Sequence, residues 1–169
     1  MGRTSTKENK NVYHIAREER GLTRDAASDL LETIPPERIE RIENEKMVPH
    51  PLDVLIMSKG YKAPHLCNYY CSNECPIGQE YVPEIKVKNL SQIVLEMLAS
   101  LNTMKKSQER LIEITADGVI DDTELEDFIF IQNELERISI TIETLQIWVE
   151  QTIADGKINL DKYNKIKNI

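Results

Sequence analysis

Leu90, Ile93, Val94, Met97, Leu98, Leu101, Met104, Leu111 and Ile112 recur at intervals of three and four residues. That spacing lines one face of an α-helix and rules out the alternation of a half-buried strand. With Asn89 or Ser91 suited to cap its start, the pattern predicts a helix over residues 89–116, about 40 Å long at the standard rise. A second helix is predicted from near Asp122, with Thr123 and Glu124 in its first turn, to about Ala154. Its stripe is Leu125, Phe128, Ile131, Leu135, Ile138, Ile142, Leu145 and Val149. Two such helices, joined by a short turn, fold back as an antiparallel hairpin. Ile129, Phe130, Ile140, Ile147 and Trp148 fall off that stripe, so one partner helix cannot bury them all. The hairpin is therefore expected to pair with a second copy, most simply as a twofold dimer forming a four-helix bundle.

The turns repeat. Ala116-Asp117-Gly118-x-Ile120 returns as Ala154-Asp155-Gly156-x-Ile158. The first copy resembles the later part of a calcium loop, but its early ligand positions fall on Glu113 and Thr115, and the second copy puts Lys162 where the bidentate Glu belongs. Each reads better as a helix stop at glycine followed by a new helix start.

The first 65 residues carry shorter helical signals. Val12, Ile15 and Ala16 share a face before Gly21. Thr23 is a good N-cap for a helix holding Ala26, Ala27, Leu30 and Leu31. Pro36 sits near the first position of a third helix with Ile39 and Ile42 three apart. Leu52, Leu55 and Ile56 mark a fourth, closed at Gly60. Short helices with brief connections suit a helix-turn-helix bundle, so the whole chain is expected to be all-α.

The pieces Arg17-x3-Gly21-Leu22-Thr23, the helix after them, and Arg41-Ile42-Glu43-Asn44 ending the third helix resemble the lambda-repressor-like helix-turn-helix family, the xenobiotic-response-element type. The resemblance spans roughly residues 1–65. It implies a transcription regulator that binds double-stranded DNA with its second and third helices, the third in the major groove. It also implies an internal Arg17–Glu43 ion pair. By position, the DNA-facing set would be Thr23 and Arg24 at the start of helix two, Glu37, Arg38 and Arg41 in helix three, and Lys46 just beyond. Arg38 and Arg41 would read guanine edges, while Lys46 and the helix-two N-terminus would hold phosphates. Two features depart from the family pattern: the turn Glu32–Arg38 looks one residue longer, and Glu37, Glu40, Glu43 and Glu45 make the third helix acidic. Their repulsion of phosphate opens an alternative, a module turned to protein contact.

Between these parts lie all three cysteines, Cys67, Cys71 and Cys75, each four residues after the last. With His65 they form a candidate Cys3His set for zinc or another metal. On one straight helix, however, Cys67 and Cys75 lie about 12 Å apart, so joint ligation needs a break. The alternatives are a redox switch or simple packing, since cysteine behaves as a small hydrophobe. The organisation expected is thus a helix-turn-helix domain over 1–65, a cysteine-containing connector over 66–88, and a dimerisation hairpin over 89–169.

Charge divides along similar lines. Residues 1–65 balance 11 Lys/Arg against 11 Asp/Glu, so the net charge of −8 falls entirely on residues 66–169. Two parts with different partners are implied. The N-terminal stretch lacks the apolar core of a secretion signal, no long apolar run suggests a membrane span, and three cysteines suit a reducing cytoplasm. No phosphate loop or nucleophile–base set is legible, and the three histidines are scattered. The reading excludes an enzyme and favours a dimeric DNA-binding regulator, with protein-interaction module and cysteine-based metal or redox sensor as alternatives.

Overall fold

The computed structural model describes residues 10–86 and 88–167, and within them every regular element is an α-helix. The chain forms two compact units, Met1–Glu84 with Glu150–Ile169, and Ile85–Val149. No helix among the described residues is long and apolar enough to cross a membrane.

In the first unit, α1 (Val12–Glu19), α2 (Arg24–Leu31), α3 (Pro36–Glu43) and α4 (Pro51–Gly60) start where local chemistry permits. Asn11 accepts from the His14 amide and Thr23 from the Ala26 amide. Pro36 and Pro51 occupy first-turn positions, where a missing N–H costs nothing. A reciprocal cap between His50 and Asp53 fixes the start of α4. Gly21 leaves α1 at φ +67°, the left-handed conformation that glycine takes without strain.

The core joins Tyr13, Ala16, Ala27, Leu31, Ile34, Ile39, Ile42, Val54, Met57 and Tyr61. Its composition corrects two faces. On α1 the buried side chains are Tyr13, His14, Ala16 and Arg17, while Ile15 is 44% exposed. Tyr13 can go inside because its hydroxyl donates to Glu74 Oε2 at 2.8 Å and its ring meets Tyr69 edge-on. On α4, Val54, Met57 and Ser58 face inward, and Leu52 and Leu55 face solvent. Gly60 is the last helical residue of α4 rather than a left-handed stop. A Cβ there would meet the Leu31 side chain, so its smallness serves the approach of α4 to α2.

The cysteine segment belongs to this first unit and is not a connector. Leu66 is fully buried in the core, with Cys67, Tyr69 and Tyr70 packed against it. It forms two helices, α5 (His65–Asn73) and α6 (Pro76–Tyr81). Pro76 opens α6 at its first turn. Gly78 is buried where α6 crosses α5, directly over the Cys71 carbonyl. The last residues of the chain also cluster here: Gln151 Nε2 donates to the Lys62 carbonyl at 3.1 Å, and α9 spans Leu160–Lys167. Residues 150–167 thus group with the first unit and not with the hairpin.

The second unit is the hairpin, built from α7 (Leu90–Ile114) and the first 25 residues of α8 (Leu125–Ala154). Asn89 caps α7, accepting from the Gln92 amide at 2.9 Å. Gly118 at φ +74° turns the chain. Asp121 then accepts from the Thr123 and Glu124 amides, which delays α8 by three residues relative to the spacing prediction. Near the turn, Arg110 Nε donates to Asp127 Oδ2 at 2.6 Å. The buried strip is narrow and partly polar: Ile93, Ser100 and Ile114 on α7, Ile131, Glu134, Thr141 and Thr144 on α8. The two threonines stay inside without penalty because their hydroxyls donate to carbonyls one turn back, Arg137 and Ile140. The repeated turn motif ends α8 as it ends α7, with Gly156 at φ +73°.

Candidate nucleic-acid interface

Four elements of the first unit meet at one carboxylate. Glu43, 1% exposed at the end of α3, accepts from Arg17 Nε at 2.5 Å and Nη2 at 3.0 Å, and from Arg24 Nε at 2.9 Å. Arg17 Nη1 continues to the Leu22 carbonyl, and Asn11 Nδ2 reaches the Ile42 carbonyl at 2.8 Å. The pair implied by the resemblance is therefore present. It ties α1, the α1–α2 turn, α2 and α3 together. Burial would push the Arg17 guanidinium down, but its hydrogen bonds to Glu43 and that residue's charge hold it above its ordinary value. With two guanidiniums on one carboxylate, the hub carries one net positive charge.

This hub fixes how α3 presents itself. Ile39, Ile42 and Glu43 are buried, while Glu37, Glu40 and Arg41 are exposed at spacings of three and one. The solvent edge of α3 is therefore a stripe of two carboxylates and one guanidinium. Lys46 is also exposed, just past α3, where Glu45 takes φ +57° and the Lys46 amide donates to the Arg41 carbonyl at 2.8 Å.

The other three expected DNA-facing residues have internal work. Thr23 is exposed, but its hydroxyl caps α2. Arg24 is held on Glu43. Arg38 donates from Nε at 2.9 Å and lies 2.6 Å from Asp53 through Nη2. The two arginine attachments differ in strength. The Arg38 side chain is 39% exposed, and a surface pair of this kind contributes about 0–1 kcal/mol, so an incoming phosphate could displace Asp53. Arg24 serves a fully buried carboxylate and is harder to detach. Asp53, which holds Arg38, is a residue that the sequence reading did not single out. Its signal was the His50-x-x-Asp53 spacing of a helix cap next to a proline.

The candidate metal set does not assemble. Among the described residues no group of three or more His, Cys, Asp or Glu side chains is placed to hold an ion. His65 begins α5, Cys67 and Cys71 lie along it, and Cys75 is the N-cap of α6. Burial pushes the His65 imidazole below its ordinary value. Burial, followed by Cys75 and Cys67 nearby, pushes the Cys71 thiol up. A raised thiol is the opposite of the activated thiolate that redox sensing uses. The segment packs.

No protein-family model, curated protein or solved structure matches this chain.

Proposed function

We propose that the chain is a DNA-binding transcription regulator that works as a dimer, with α3 entering the major groove. One observation supports this above the rest. The buried hub and Ile39/Ile42 anchor α3 from beneath, leaving Glu37, Glu40 and Arg41 as hydrogen-bonding groups along its free edge. In the groove Arg41 would donate to guanine and the carboxylates would accept from exocyclic amines. Lys46 would hold a phosphate, joined by Arg38 once it leaves Asp53.

The small number of available cations sets a measurable signature. Two or three phosphate contacts per head give a log–log salt slope of about −2 to −3, or roughly −4 to −6 for two heads. The test is selection of bound fragments from the organism's own genomic DNA, repeated across a salt series. Selective enrichment with that slope is expected. Arg41→Ala should remove the selectivity, at about 1–3 kcal/mol per head. Asp53→Asn, which frees Arg38 beforehand, should tighten binding by about 0–1 kcal/mol per head, the strength of the pair it removes.

A second reading has its own observation. With Arg24 and Arg38 held internally, the free edge of α3 is net acidic. Weak binding that is flat with salt would assign that edge to a basic protein segment instead.

A further inference from the structure

The hairpin leaves its larger apolar side chains outside. On α7, Leu90, Val94 and Leu101 are 39–48% exposed, and on α8 Leu135 and Ile142 are 48% and 44% exposed. Each set forms a seam. Leu90, Val94, Met97, Leu101 and Met104 alternate intervals of four and three residues, and Phe128, Leu135, Ile142 and Val149 are each seven apart. Such spacing is that of helices packed against further helices. Away from the seams, Lys88 pairs with Glu96 and Arg110 with Asp127, and Leu95 and Phe130 are also exposed. The two seams together make one apolar face.

We propose that this apolar face is covered by the same face of a second copy, the two hairpins running antiparallel as a four-helix bundle. By their fractional exposures, the two seams with Leu98 and Ile112 amount to on the order of 600 Å² per copy, a scale at which apolar patches mark interaction sites. That approaches the roughly 800 Å² per partner of a stable interface and lies at the upper limit for a lone monomer. Charge sets the direction. The turn end of the hairpin holds Asp117, Asp121, Asp122, Glu124 and Glu126, whereas the open end is about balanced, with Lys86 and Lys88 against Glu96 and Glu143. Antiparallel pairing sets each acidic turn beside the other copy's balanced open end. Parallel pairing would put acid on acid.

This inference stands without the DNA reading, and its test needs no DNA. The full chain is measured by sedimentation equilibrium at increasing concentration, alongside Leu101→Glu/Leu135→Glu, with helicity followed by circular dichroism. A dimer that becomes a monomer of unchanged helicity is expected. A wild-type chain that stays monomeric at 100 μM-scale concentration, on the order of what a weak interface still populates, would overturn the proposal. So would a dimer indifferent to the double substitution. If the double variant loses helicity, Ser107→Glu and Leu98→Glu, on the polar and apolar flanks, replace it, and only the second should weaken the dimer. Direction is read from Asp122→Lys/Glu126→Lys, two exposed turn-end residues. Antiparallel pairing predicts a dimer of much the same strength at low and high salt, because each turn then faces a balanced end. A tighter dimer would overturn the antiparallel arrangement.

Discussion

Glu43→Ala should destabilise the first unit by about 3–5 kcal/mol, a large part of the 5–15 kcal/mol that holds an ordinary domain folded. The size comes from what remains behind. Arg17, 7% exposed, would keep its charge with only the Leu22 carbonyl as a partner. Arg24 would lose a bond too, but its side chain is a third exposed and water can replace Glu43 there. The origin of the effect can be checked. Arg17→Met/Glu43→Leu removes both buried charges together and should come out near neutral, because desolvating the pair already offsets much of its attraction. Urea unfolding followed by circular dichroism of the single and double variants decides the matter. If the double is as unstable as the single, shape rather than uncompensated charge explains the loss.

Gly78→Ala should be nearly as severe, on the order of 3 kcal/mol, with a fall in Tm of roughly 10 °C. Alanine favours a helix by about 1 kcal/mol over glycine, so the sign depends on space. At Gly78 a Cβ would overlap the backbone carbonyl of Cys71, which cannot rotate away without moving α5. Gly60 is the internal comparison. There the obstacle is the tip of the Leu31 side chain, which can change rotamer for about 0.5–1.5 kcal/mol. Gly60→Ala should therefore be close to neutral. Thermal melts of the two variants side by side test this, and similar Tm values for both would refute the steric account.

The helix starts were legible because they are written in adjacent residues: Thr23, Pro36 and Asn89 cap or open helices where expected. The all-α class and the two long helices followed from periodicity over more than twenty residues. What could not be read was pairing at a distance. Arg24 and Arg38 look alike in sequence, and only folding brings Glu43 and Asp53, 19 and 15 residues away, to their guanidiniums. Likewise Gly60 and Gly78 resemble helix stops, and their tight surroundings depend on helices that cross only in three dimensions. The cysteines were ambiguous for a third reason. Their spacing fits a helix face, and the break before Cys75 comes from Pro76 opening a new helix, which no spacing rule distinguishes from an ending.

The seven-residue interval of Phe128, Leu135, Ile142 and Val149 carries a handedness. A straight α-helix turns 3.6 residues per revolution, so a seven-residue repeat lags by about 20° at each step and would drift off its partner by about 60° over these four residues. Holding the seam in register requires α8 to wind gently left-handed about whatever covers it. The chirality of the proposed bundle would thus be set by a fraction of a residue per turn.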